Sequence, residues 1–265
     1  MEKDKFYIDS KPQAIDKKEL HRLVVAFTLG DGSLRLHKKA RCRNATYKSN
    51  MIAKSFDYLL HQAYYLRHLT TIRVNYFPAF IGKNDRHNKH QIKISTMSHP
   101  VYTNIHSRLY GTGKKALTYH DLTHFNEHSL ACLIQDDGSI NIHNNKYPYH
   151  YRTIICTDSF TEQDNYLLRD TIASKTGIHS DVKKIKEKGK YVYRLYFSYK
   201  QSILLRECIL PYVAPSFYYK INLCPTPQTV HSWYEKYIKP YQEYDIIRTL
   251  LKDSEYYRNV IPSTL

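Results

Sequence analysis

The chain has 265 residues, 42% of them apolar, and carries 40 Lys and Arg against 24 Asp and Glu for a formal charge of +16. That apolar share excludes a disordered chain, and no apolar run approaches the roughly 18 residues that span a bilayer, so one large or two ordinary globular domains are expected, with no membrane partner. The basic excess is spread along the sequence, which makes nucleic acid the leading partner class, because such a surface releases counterions from a polyphosphate.

The first stretch, "MEKDKFYIDSKPQ", mixes charges and shows neither a signal nor a transit pattern. Five cysteines form no CxxC pair, which suits reduced thiols in a reducing, intracellular setting: a mitochondrion, or bacterial or phage-infected cytoplasm. From Lys17 to Gly30 apolar residues fall at helical spacing and run into Asp31-Gly32. The period then switches to two over "SLRLH", and a polar-aromatic strand "RNATYK" follows. Next come a helix, "NMIAKSFDYLLHQAYY", two strands, "TTIRVNYF" and "HQIKISTM", and a closing helix, "HPVYTNIHSRLYG". His87 and His90, in "NDRHNKH", read as a polar loop.

The order then repeats. A helix over "EHSLACLIQD" runs into Asp137-Gly138, and "SINIH" and "YRTIICT" read as strands. A helix "TEQDNYLLRDTIASKTG" precedes the hairpin of "SDVKKIKE" and "KYVYRLYFS", turned at Gly189, and the helix "KQSILLRECILPYV". Asp137 lies 106 residues after Asp31. The sequence thus predicts an α+β fold of two αββαββα halves with antiparallel sheets, over residues 14–122 and 123–223, and a Tyr-rich helical extension over 224–265.

The repeated Asp-Gly is costly where it stands. A carboxylate at a helix C-terminus faces the negative end of the dipole, unfavourable by roughly 0.3–1 kcal/mol, yet both copies place one there and the second adds Asp136. Gly32 and Gly138 as mere helix caps would explain one copy, but two copies in matching context favour a divalent cation between the helix ends. Paired metal sites suit phosphodiester cleavage. Ala26 and Gly30 in the first helix, and Cys132 and Asp136 in the second, lie four apart and are mostly small, which permits close approach of the two backbones.

"LACLIQDDG" (Leu130 to Gly138) resembles the LAGLIDADG motif, and "VVAFTLGDG" (Val24 to Gly32) is a looser copy with Val24-Val25 and Thr28-Leu29 off consensus. The chain, from about Lys17 to Asn222, resembles single-chain LAGLIDADG homing endonucleases of the I-SceI type. The resemblance implies two pseudo-symmetric halves whose sheets form a DNA-binding saddle, with the motif helices packed at the centre. It implies metal binding by Asp31 and Asp137, completed by the carbonyls of Gly30 and Asp136, with Mg²⁺ or Mn²⁺ as cofactor. A basic residue from each half is expected at the cleavage centre: Lys220 in "FYYKI", and Lys114 or Lys115 in "GTGKKAL", with Lys115 the candidate adopted. The implied activity is a metal-dependent double-strand break with short 3′ overhangs in a long target. Two alternatives are an RNA maturase acting on intron RNA in group I splicing, and a non-cutting DNA-binding derivative.

On half-buried strands the residues between the aliphatics face outward and offer donors to base edges and phosphates of double-stranded DNA. They are Arg35, His37, Arg43, Lys48, Arg73, Asn75 and Lys93 in the first half. The second half offers Asn141, His143, Arg152, Lys183, Lys186, Arg194 and Tyr196. Those faces are expected to lack carboxylates. Because both motifs lie in one chain and Arg35 stands against Asn141, a monomer on a non-palindromic target of about 16–18 base pairs is expected.

Overall fold

A computed structural model of the chain describes residues 5–11, 15–36, 43–79, 89–111, 113–142 and 151–259. A short strand, β1 (Lys5–Ile8), precedes α1 (Lys17–Leu29), β2 (Ser33–Arg35), β3 (Thr46–Ile52), α2 (Phe56–Leu66), β4 (Ile72–Phe77), β5 (Gln91–Thr96) and α3 (Pro100–Leu109). After a single turn, α4 (Tyr119–Leu122), the same order returns as α5 (Glu127–Asp137), β6 (Gly138–Ile142), β7 (Tyr151–Ile155), α6 (Glu162–Thr176), β8 (Asp181–Glu187), β9 (Lys190–Tyr196) and α7 (Tyr199–Ile209). The α+β architecture of two αββαββα repeats is therefore present. Both sheets are antiparallel, ordered β1-β4-β5-β3-β2 and β6-β7-β9-β8. No helix among the described residues is long and apolar enough to cross a membrane.

Local chemistry explains the boundaries of the central helices. The Asp16 side chain accepts from the Lys18 N–H at the start of α1, and the Asn126 side chain accepts from the Ser129 N–H at the start of α5. Both helices are buried nearly all round, Leu23, Val24 and Phe27 in one and Leu130 to Ile134 in the other. That is how a helix hydrophobic on every side must sit. They pack on each other between the two sheets.

Three sequence expectations shift. Asn50 to Ile52 extend β3 and do not open a helix, because Asn50, Met51 and Ile52 pair with Lys93, Ile92 and Gln91 of β5, and the alternation that buries Tyr47 and Ser49 continues through Met51. Residues 53–55 form a 3₁₀ turn before α2. The first sheet also starts earlier than residue 14: β1 pairs with β4 from Lys5↔Asn75 to Ile8↔Ile72, burying Phe6 and Ile8.

The C-terminal extension forms α8 (Pro227–Trp233), a π turn over Tyr234–Ile238 and α9 (Asp245–Asp253). It is fastened to the first half by a Phe6–Tyr244 ring stack at 4.0 Å and by Tyr257 Oη, which donates to Asp57 on α2 at 3.1 Å. Between α2, α5 and the extension, His61 and His128 meet Nε2 to Nε2 at 3.0 Å, with Trp233 tilted against His61 and Tyr237 edge-on to it. Cys132, Cys156, Cys208 and Cys224 are free thiols; Cys42 lies outside the described residues.

Candidate active site at the paired helix ends

The two motif helices end side by side. A Cβ built on Gly30 would stand 2.1 Å from Asp136 Oδ2 and 2.4 Å from Asp136 Cβ, so the α1 backbone and the Asp136 side chain are in direct van der Waals contact. Gly30 has φ −82°, outside the left-handed region that glycine alone favours. Its value here is the missing side chain. The small seam predicted from Ala26, Gly30, Cys132 and Asp136 therefore brings the helix ends together, with Asp136 filling the notch that Gly30 leaves.

Three carboxyl groups gather at that junction. Asp136 is enclosed, and neither of its carboxylate oxygens has a hydrogen-bond partner. Burial first, then the charges of Asp31 and Asp137, push its pKa well above the usual range, against the opposing pull of Lys220. Asp137, partly buried, rises to about 6, from burial and then Asp31, with Asp158 adding and Lys115 and Lys220 opposing. Asp31 sits at the exposed rim, where the protein atoms crowding its inner side raise it and both lysines lower it.

Two ammonium groups answer the carboxylates. Lys115 Nζ donates to the carbonyls of Thr28, Leu29 and Gly30 at 2.7, 3.1 and 3.3 Å, and Lys220 Nζ to those of Gln135 and Asp136 at 2.6 and 2.9 Å. Each lysine caps the negative end of its own half's motif helix. Of the two first-half candidates, Lys115 is thus the one that stands to α1 as Lys220 stands to α5. Burial lowers both lysine pKa values and the three aspartates raise them again. The carbonyls expected to serve a metal, Gly30 and Asp136, are those the lysines already touch; each carbonyl has two lone pairs, so a cation could share it. Among the described residues no group of three His, Cys, Asp or Glu side chains is arranged to hold a metal. The site offers the exposed Asp31 and half-buried Asp137 carboxylates together with backbone oxygens.

The basic faces flank this centre. On the first sheet Arg35, Lys48, Arg73, Asn75 and Lys93 share the face turned away from the helices; registered pairs place Lys48 beside Ser95, Ser95 beside Arg73, and Lys93 beside Asn75. Partial burial first, and then the charges of Arg35 and Lys93, lower the Lys48 pKa. Arg43 is exposed just before β3, outside the strands. His37 and His143 lie outside the described residues.

The second sheet corrects two expectations. Asn141 pairs with Arg152 and Lys183 with Arg194, so these four and Tyr196 share one face, but Lys186 pairs with Tyr191 on the other, since it is an odd number of positions from Lys183. That face is not free of carboxylates either. Arg194 is held by Asp158 at 2.5 and 2.6 Å and also by Glu187, which leaves its guanidinium engaged within the protein. Sequence reasoning missed Lys5, Tyr7, Asn50, Ile52, Phe77, Gln91 and Ser95 on the first sheet's outward face. For Gln91 and Ser95 the signal was present, as they share the parity of Lys93.

A model described as the LAGLIDADG DNA endonuclease family matches residues 22–205. The chain is 32% identical over 116 residues to Protein RecA of Mycobacterium leprae (strain TN), covering 42% of this chain and 16% of that protein. It is 26% identical over 207 residues to Protein RecA of Mycobacterium shimoidei, covering 76% of this chain and 45% of that protein. The chain spans less than half the length of these relatives. Among solved structures, the homing endonuclease I-WcaI bound to its DNA recognition sequence is similar at a TM-score of 0.63 and 19% identity, over 79% of this chain and 88% of that one, a likeness of fold. I-DmoI in complex with DNA and Mn aligns at a TM-score of 0.42 and 14% identity, over 74% of this chain and 98% of that one. Since the family match runs through both acidic helix ends and both sheets, the chain belongs to the LAGLIDADG DNA endonuclease family.

Proposed function

We propose that the protein is a site-specific DNA endonuclease that uses Mg²⁺ or Mn²⁺ to hydrolyse both strands of a long, non-palindromic duplex, leaving short 3′ overhangs, and that it acts as a monomer. The observation that carries this reading is the doubled arrangement of carboxylate, backbone carbonyl and lysine at two adjoining helix ends, Asp31 with Lys115 and Asp137 with Lys220, between two basic sheet faces.

The donors are all hard oxygens, which suits Mg²⁺, and burial and then the Asp31 charge push the Asp137 carboxyl up to about 6, a repulsion that a cation between the two would relieve. Asp31 and Asp137, with the carbonyls of Gly30 and Asp136, would hold the cation, which supplies Lewis-acid polarisation and a more acidic water when bound. Lys115 and Lys220 place fixed positive charge beside the phosphate oxygens where negative charge grows during the reaction. Lys48, Arg73, Lys93, Arg152 and Lys183 neutralise backbone phosphates and fix the register of the duplex.

The test is incubation of the protein with Mg²⁺ and a random duplex library, followed by sequencing of cut ends. A unique, asymmetric site cut by one chain per duplex is expected, and Asp31→Asn or Asp137→Asn should abolish cutting with affinity intact or slightly raised. Cleavage of both strands at the parent rate by either variant would remove the metal assignment.

A further inference from the structure

Lys220 rides on a 3₁₀ helix, Pro215–Ile221, that follows α7 in the second half. Its ammonium meets the last carbonyls of α5 only while that segment is held at a fixed depth beside the helix. Two buried polar side chains hold it. Gln135 of α5 takes the approach: its Oε1 accepts from the Ala214 N–H at 2.7 Å, and its Nε2 donates to the Tyr212 carbonyl at 3.2 Å. The other is Asp57 of α2, which belongs to the first half and has no exposed surface. Its carboxylate accepts from the Ser216 N–H at 3.0 Å and from Ser216 Oγ at 2.5 Å, across 159 residues of chain.

Asp57 is itself fixed from two further sides. The Tyr58 N–H donates to Oδ1 at 2.9 Å, and Tyr257 Oη, from the C-terminal extension, donates to Oδ2 at 3.1 Å. Each carboxylate oxygen therefore accepts from one backbone N–H and one hydroxyl. Beside it the Tyr58 ring meets Phe217 edge-on at 5.3 Å, and the Lys220 ammonium stands 5.2 Å from the centre of the Phe217 ring. Residues three apart eclipse on a 3₁₀ helix, so Phe217 and Lys220 share one edge of it. Burying a carboxylate is costly even when its hydrogen bonds are met, and apolar side chains would fill the same space. What the carboxylate adds is direction, because hydrogen bonds from four fixed donors set where Ser216 stands, and with it the short helix that carries Lys220.

Resting on the reading of the chain as a DNA endonuclease, we propose that Asp57 is a positioning residue for Lys220. It pins the start of the 3₁₀ helix across the boundary between the halves, and Tyr257 brings the C-terminal extension into the same anchor. Asp57 acts through Ser216 and Phe217, not on the reacting atoms.

The duplex that the full chain selects from a random library supplies the test. Single-turnover nicking of each strand is followed with Mg²⁺, and Lys220→Met identifies the strand that depends on Lys220. Asp57→Asn sets an NH₂ against a backbone N–H whichever way the amide turns, and should slow that strand roughly 10- to 100-fold. The other strand, and affinity with Ca²⁺ as the added cation, should stay within about twofold of the parent. In the Lys220→Met background Asp57→Asn should cost less than about twofold more on the dependent strand, since the group it positions is gone. Ser216→Ala keeps the backbone hydrogen bond and removes only the hydroxyl, so it carries the same test, at about fivefold, if Asp57→Asn does not fold. No slowing, slowing of the independent strand to the same degree, or an undiminished loss in the Lys220→Met background overturns the assignment. A parent that cuts no duplex overturns the endonuclease reading and the assignment together, a result distinct from a cutting parent indifferent to Asp57.

Discussion

Gly30→Ala tests the packing on which the candidate site depends. The added methyl would stand 2.4 Å from Asp136 Cβ and 2.6 Å from its Cγ, and since the Cβ cannot be rotated away, the helix ends must separate by about 1 Å to restore ordinary contact. Overpacking of a rigid seam costs about 1–3 kcal/mol, and the upper part of that range applies because α1 and α5 are enclosed on nearly every side. At roughly 2–4 °C per kcal/mol for a chain of this size, the melting temperature should fall by about 5–10 °C. Asp136→Gly removes the side chain the methyl strikes, at a backbone cost of about 0.5–1 kcal/mol that the single variant measures. In a double-mutant cycle read by urea unfolding, Asp136→Gly should recover most of the loss, with a coupling of at least ~1 kcal/mol. A fully stable Gly30→Ala protein, or independent effects of the two changes, would show that the helix ends do not meet as described.

Three other outcomes are expected. The His61–His128 pair is held neutral by burial, with His128 lowered to about 3 and His61 well below its ordinary value; the stability from this neutrality is whole above pH 6.5 and lost as pH falls below it, because the unfolded chain takes up protons that the fold refuses. For His128 alone, unfolding free energy should drop by about 2 kcal/mol between pH 6.5 and 4.5, with His61 adding in the same direction, and His128→Gln should show a visibly shallower fall. Lys115→Met or Lys220→Met, by uncovering the terminal carbonyls of α1 or α5, should cost about 1–2 kcal/mol in thermal unfolding and roughly 10²-fold in single-turnover cleavage; an unchanged rate would make the lysines helix caps alone. Filter binding against salt should give a log–log slope near −6, from about seven outward cations; a nearly flat plot would exclude the two faces as a phosphate footprint.

The duplication, the order of elements in each half and the two acidic helix ends were all legible in the sequence, because they rest on local signals: a switch from period 3.6 to period 2 at Asp-Gly, repeated 106 residues on. The pairing of Asp31 with Asp137 was foreshadowed by the small residues of the seam, but that Asp136 fills the notch of Gly30 is a fact of how two helices approach, which no local pattern encodes. The choice between Lys114 and Lys115 was equally closed to the sequence, as adjacent lysines differ only in which one reaches the α1 carbonyls. Strand pairing decided the rest. Asn50 to Ile52 have a helical neighbourhood in sequence, yet hydrogen bonding to β5 makes them strand and turns Ile52 outward. Arg194 reads as a free cation until Asp158, 36 residues away in the chain, closes on it. What depends on spacing along one segment is written in the sequence; which groups from distant segments neutralise, cap or crowd one another is set by tertiary distance, where electrostatic and steric energies are decided over a few ångströms.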